Sequence, residues 1–186
     1  MRIRILVTVG VLVARSTLTA QERAPDSASI AGVADLLARF DASASAAGKL
    51  HASARAALFA DDAIFINAFG GRQDGRPTID STWARLYRST AFDSSRIELL
   101  ERRQRWLGSG LVLVDHIECL TGQRGPNSGR TLPPRTTHIT ILLRQERTSE
   151  WRIAYYRAGD VRELARSPSV CAIRRTDSMP ARPNER

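Results

Sequence analysis

Lysine is nearly missing from this chain of 186 residues, since Lys49 is the only one, and a formal charge of +9 therefore rests on arginine. No basic stripe interleaved with exposed aromatics accompanies that charge, which argues against a nucleic-acid surface. Cysteine is equally scarce: Cys119 and Cys171 are the whole supply, too few for a disulfide-rich scaffold or a cysteine zinc site. His51, His116 and His138 have none of the short spacings that hold zinc, so no metal is expected. A Gly-x-Ser-x-Gly elbow is absent, which removes the ordinary serine hydrolase. The stretch GGRQDGRP at 70–77 lacks the lysine followed by serine or threonine of a phosphate loop and reads as a turn, and no dinucleotide fingerprint occurs, so no cofactor is expected. No internal repeat is present.

The beginning of the chain has the anatomy of an export signal. Arg2 and Arg4 precede an apolar run from Ile5 to Ala14, and Thr19-Ala20 supplies small residues for cleavage. That run is shorter than the roughly 20 apolar residues that span a bilayer. No cysteine follows it to carry a lipid, so no membrane role beyond export is expected. Loss of Arg2, Arg4 and Arg15 with the signal would leave +6 on residues 21–186, half of it on the arginine-rich tail from Val161. The expected organisation is a signal peptide at 1–20, a linker at 21–27, one domain at 28–160, and a basic, disordered tail at 161–186. In an oxidising compartment Cys119 and Cys171 can form one disulfide stapling the tail to a strand, or remain two thiols.

Between those ends the pattern switches between helical and strand periods. Ile30, Val33, Leu36, Leu37 and Phe40 fall on one face of a helix, with Ser27 or Ser29 available as its cap. A second helix is predicted over 50–60, ended by Asp61 and Asp62, and a strand over 63–67. Gly70, Gly71 and Gly75 mark a turn, and Pro77 opens a helix that runs to about Thr90. A charged strand over 96–106 suits a sheet edge. The LVLV run opens the clearest strand, over 111–120, and strands over 136–145 and 151–157 form a hairpin. The segment from Thr121 to Pro134, with three glycines and three prolines, reads as a long loop.

Leu58-Phe59-Ala60-Asp61-Asp62-Ala63, Asn67, Gly75-Arg76-Pro77 and Trp151-Arg152-Ile153, in that order, resemble the nuclear transport factor 2-like superfamily and its SnoaL-like, SgcJ/EcaC-type branch. The resemblance covers roughly 30–160. It implies an α+β fold, a cystatin-like roll: a cone of curved antiparallel sheet, four to six strands, with about three helices closing the concave face. Isomerases, dehydratases, hydrolases and plain binders share that fold, and dimers are common in it, so a homodimer is expected. This chain lacks the asparagine or histidine often placed near the end of the family's last strand and reads Tyr155-Tyr156-Arg157 there.

Strand alternation nominates the site. On 111–120, His116 and Glu118 share one face and Asp115 the other, so one of Asp115 and His116 points into the cone. On 151–157, Trp151, Ile153, Tyr155 and Arg157 share the face that resembles the family's core-facing pattern. His138 belongs to the more polar face of its strand, outside the core. Asn67, Trp83, Tyr87, Tyr155 and Arg157 are the expected ligand-binding residues, and His116 the expected proton-transfer residue, with Asp62 or Glu118 as its carboxylate neighbour. Trp83 and Tyr87, at helical spacing, suit core packing more often than a ligand wall. Two readings follow. One is an exported domain that binds a small organic molecule and catalyses isomerisation, dehydration or hydrolysis; the other is a non-catalytic binding or dimerisation module with a filled pocket.

Overall fold

The computed structural model describes residues 24–44, 52–88, 90–125 and 128–161. The expected signal peptide, most of the tail, Lys49, His51 and Cys171 lie outside these described residues. Three helices, α1 (Ser27–Ala44), α2 (Ala52–Ala56) and α3 (Arg76–Arg88), accompany six strands: β1 (Phe59–Ile66), β2 (Arg72–Asp74), β3 (Arg96–Gly108), β4 (Leu111–Thr121), β5 (Arg135–Gln145) and β6 (Trp151–Asp160). A 3-10 turn, Thr90–Phe92, links α3 to the approach to β3.

The sheet has the order β2-β1-β6-β5-β4-β3 and is not closed. β3 to β6 form an antiparallel meander, while β1 lies parallel to β6 and antiparallel to the short β2. The sheet is therefore mixed rather than wholly antiparallel. No hairpin dictates the direction of β1 against β6, because the two strands meet only after α3 and the whole meander have intervened. Irregular register interrupts β3 twice, β5 against β6 once and β1 against β6 once. Such bulges bend a strand and tighten its twist, and they curl this sheet into an open cone.

One face of that cone holds the core. Val33, Leu36, Leu37 and Phe40 of α1 bury against Val112 and Val114 of β4, Ile139, Ile141 and Leu143 of β5, and Trp151 and Ile153 of β6. Ile30, assigned to the same stripe by its spacing, is 51% exposed. The α1 cap is neither Ser27 nor Ser29: Ser29 N donates to Asp26 Oδ1 at 2.7 Å, the side-chain oxygen replacing a missing helical carbonyl.

The second helix is shorter than its alanine content predicts. Leu58 and Phe59 turn into β1, which carries Asp61 and Asp62 on exposed positions instead of at a helix end. Cross-strand pairing with β6 and β2 outweighs the helix preference of so short a segment. β3, with its run of charge, is an edge strand. The loop after β4 is braced rather than loose, since Arg124 bridges Thr131 and Arg124 N donates to Ala91 O at 2.8 Å. Cys119 of β4 is disulfide-bonded.

Candidate functional site

Alternation on β4 settles which side chain enters the cone. Val112, Val114 and His116 are buried and Glu118 lies beyond them on the same face, so His116 points inward. Asp115 points the other way, where its Oδ1 accepts from Thr140 Oγ1 at 2.9 Å and lies 3.6 Å from His138 Nε2. His138 is on the outer face, as its neighbours in sequence require.

On β6 the alternation breaks. Leu143 pairs with Ile153, but Leu142 pairs with Tyr155, so Ala154 is an extra residue and the strand changes phase across it. Trp151 and Ile153 face the core before the bulge, and Tyr156 and Ala158 face it afterwards. Tyr155 and Arg157, expected in the pocket, are consequently on the outer face, and Arg157 is exposed. A simple period-two count cannot see a residue that drops out of the ladder.

The concave face leaves a cavity of about 340 Å³ between the sheet and the helices. Its sheet wall is made by Phe65 and Asn67 of β1 and the turn after it, Ile97 of β3, Glu118 and Leu120 of β4, Thr137 of β5, and Tyr156 and Ala158 of β6. Arg55 of α2 and Thr82, Trp83, Leu86 and Tyr87 of α3 form the helical wall, and Phe69, Phe92 and Arg135 stand among the remaining lining residues. The structure therefore brings together Asn67, Trp83 and Tyr87 from the expected set. Aromatic rings build the wall: Trp83 stacks on Tyr87 with centroids 5.6 Å apart, and Phe65 stacks on Tyr156 at 4.9 Å.

Polar groups in this wall are few and mostly committed. Asn67 Oδ1 accepts from the backbone N–H groups of Phe69 and Gly71, each at 2.9 Å, so its carbonyl braces the turn at the edge of the cavity. Glu118 receives His116: the two side chains meet at 3.1 Å, Nε2 to Oε2. His116 itself is 2% exposed and does not line the cavity, sitting behind Glu118 against the edge of the Phe40 ring. Asp62, considered above as its carboxylate partner, instead forms an ion pair with Arg144 at 2.7 Å on the surface. Burial pushes the Tyr156 hydroxyl well above its ordinary range, the Glu118 carboxylate adds to that rise, and Arg55 opposes it. Tyr156 thus keeps its proton, while its hydroxyl oxygen accepts from Arg55.

Tyr156, Thr137 and Arg55 were not nominated from the sequence, and Glu118 was named only as a carboxylate neighbour of His116, whose strand face it shares. Tyr156 was hidden by the bulge, and Arg55 by an alanine-rich helix whose contacts give no sequence signal.

No protein-family model matches the chain, and no curated protein does. Solved structures match it over most of its length. An uncharacterised protein with a cystatin-like fold from Caulobacter vibrioides is 21% identical, with a TM-score of 0.61 over 72% of this chain and 90% of that one. A protein of unknown function from Pseudomonas putida, described as nuclear transport factor 2-like, is 14% identical, with a TM-score of 0.60 over 78% of this chain and 95% of that one. The fold is nuclear transport factor 2-like. A third neighbour, a ketosteroid isomerase-like protein from Erwinia carotovora atroseptica, is 17% identical, with a TM-score of 0.54 over 72% of this chain and 94% of that one. At such identities the likeness carries the architecture, and the chemistry must come from the side chains of this chain.

Proposed function

We propose that this chain is an exported, SnoaL-like domain that binds a small, largely apolar organic molecule in its concave cavity and moves a proton on it. Glu118 is the group that exchanges the proton, and His116 is a positioning residue. The observation that carries this reading is the carboxylate of Glu118 standing in an aromatic wall with the buried His116 imidazole bonded to it at 3.1 Å. Aromatic area supplies affinity and a few polar groups supply orientation, which is the usual division of labour in a small-molecule site.

For an isomerisation, Glu118 takes a proton from a carbon next to a carbonyl and the released electron pair moves onto the carbonyl oxygen. Tyr156, kept protonated by burial, donates a hydrogen bond to that oxygen, and Glu118 returns its proton at a different carbon, so nothing is consumed. A ketosteroid isomerase-like protein among the structural neighbours supports this class of reaction. Export rests on the Arg2, Arg4 and Ile5–Ala14 pattern.

The test begins with the purified mature chain, from which any retained ligand is identified by native mass spectrometry. In heavy water the wild type should exchange a carbon-bound hydrogen of that ligand for deuterium, and Glu118→Gln should bind without exchanging it. A ligand that binds and never exchanges would leave a binding protein and remove the acid–base role.

Pairing of two copies through the outer sheet face is a second proposed property. Leu113, Ile117, Leu142 and Tyr155 are half-buried there, leaving apolar area on the side opposite the helices. Sedimentation of wild type and Tyr155→Glu would decide it: the wild type should run as a dimer and the variant as a monomer.

A further inference from the structure

We propose that the cavity selects organic anions, taking a carboxylate or a similarly compact anionic group, on an apolar body, against Arg55. The inference rests on the reading that the cavity binds a small molecule and adds the charge of that molecule. Arg55 is 2% exposed. Its guanidinium carbon lies 4.0 Å from the centre of the Phe40 ring and 4.6 Å from that of Trp83, so it is held between two aromatic faces. Its hydrogen bonds to Phe40 O and Ser43 Oγ are long, 3.5 and 3.3 Å, its other side-chain partner is the uncharged Tyr156 hydroxyl, and its Nε has no partner among the described residues. No carboxylate of the described residues is ion-paired with it. Aromatic faces offset part of the cost of burying a guanidinium, but buried charges in proteins are ordinarily matched by an opposite charge.

A second orphan lies beside it. Trp83 Nε1 is buried without a partner, and its side chain lines the same cavity and touches the same guanidinium. Both nitrogens are donors that cannot accept. A wall that offers donors beside a positive charge with no carboxylate partner suits a carboxylate better than a neutral carbonyl or a cation. The wider wall agrees: Arg85 adds a cation, Arg135 is already paired with Asp160 at 3.2 Å, and Glu118, bonded to His116, is the carboxylate in the lining.

Two probes of nearly equal shape separate the possibilities: 2-naphthoate and 2-naphthamide, titrated by calorimetry into the full mature chain at neutral pH. Wild type should bind the naphthoate at least about tenfold more tightly than the amide, and the preference should shrink as salt is raised. Arg55→Gln should abolish the preference. Because removing a buried arginine can also weaken folding, Trp83→Phe provides a gentler variant that keeps an aromatic ring at that position and deletes the Nε1–H; it should cost several-fold for the naphthoate and little for the amide. Equal binding of the two probes, or tighter binding of the amide, overturns anion selectivity and leaves the cavity as a neutral site. Binding of neither up to millimolar concentration overturns the small-molecule reading, and this inference with it.

Discussion

His116 and Glu118, two residues apart on β4, form a part-buried pair whose Nε2 and Oε2 are 3.1 Å apart. A carboxylate only accepts, so Nε2 carries the hydrogen of that bond. Nδ1 is left without a partner among the described residues. The imidazole thus fixes the carboxylate from behind, and the carboxylate alone meets the cavity.

That arrangement changes what the removal of His116 should do. Seen as a proton-transfer residue at an open cavity, it is expected to be nearly dispensable for stability. As a side chain 2% exposed, packed on Phe40 and bonded to Glu118, it is not. His116→Ala should destabilise by about 1–3 kcal/mol, because it opens a void and leaves a part-buried carboxylate short of a donor. Urea denaturation measures the loss, and a stability equal to wild type would contradict the burial.

Tyr156 gives a spectroscopic prediction. Burial raises its hydroxyl pKa in the folded state, whereas in the unfolded chain a tyrosine ionises near pH 10, at about its free value. A raised folded value stabilises fully below about pH 10, and the contribution is lost as pH climbs from there toward the folded value. The tyrosinate absorbance gained by folded protein up to about pH 11 should accordingly be the same in wild type and Tyr156→Phe. A gain smaller by one tyrosine in the variant would show that Tyr156 titrates with the solvent.

Much of this architecture could be read from residue order, and the failures have local causes. The α1 stripe, the Gly75-Arg76-Pro77 opening of α3, the charged edge strand and the β4–β6 meander all follow from period and punctuation. β2 did not, because a three-residue strand inside a glycine turn has too few residues to show alternation. Phase on β6 failed at Ala154, where one inserted residue exchanged Tyr155 for Tyr156 in the cavity. Arg55 was invisible since its value lies in Phe40 and Trp83, 15 and 28 positions away in the chain, closing on it from two other helices.

Asp62 and Arg144 test how little a surface ion pair contributes. Hydrogen bonding to Arg144 holds the Asp62 carboxyl below its ordinary value, yet its side chain is 69% exposed. Asp62→Asn should cost under about 1 kcal/mol at neutral pH, since solvent screens the pair. A lowered folded value stabilises above the unfolded value of about 4 and is lost as pH falls, so the difference between wild type and variant should vanish near pH 2 and shrink in molar salt. A larger, salt-insensitive cost would mean that Asp62 supports the fold through something other than charge.

Gly122, just past the end of β4, should be the least replaceable of the turn glycines tested. Its φ is +72°, and a Cβ there would meet the Ser94 carbonyl oxygen, with the Ser94 carbonyl carbon at 3.2 Å and Ser95 Cα at 3.4 Å. Those atoms are backbone and cannot swing aside. Gly122→Ala should therefore lose about 1–2 kcal/mol for the left-handed conformation and roughly 1–3 kcal/mol more for the clash. Gly129, at φ +62° with nothing within 4 Å of a Cβ, supplies the control, because its alanine variant carries the conformational part alone. The displaced backbone at 94–95 also borders the cavity through Ser95 and Phe92, so Gly122→Ala should weaken ligand binding while Gly129→Ala leaves it unchanged. Equal stability losses in the two variants would mean that the close approach of Ser94 to Gly122 contributes nothing, and that the turn at 93–95 is free to yield.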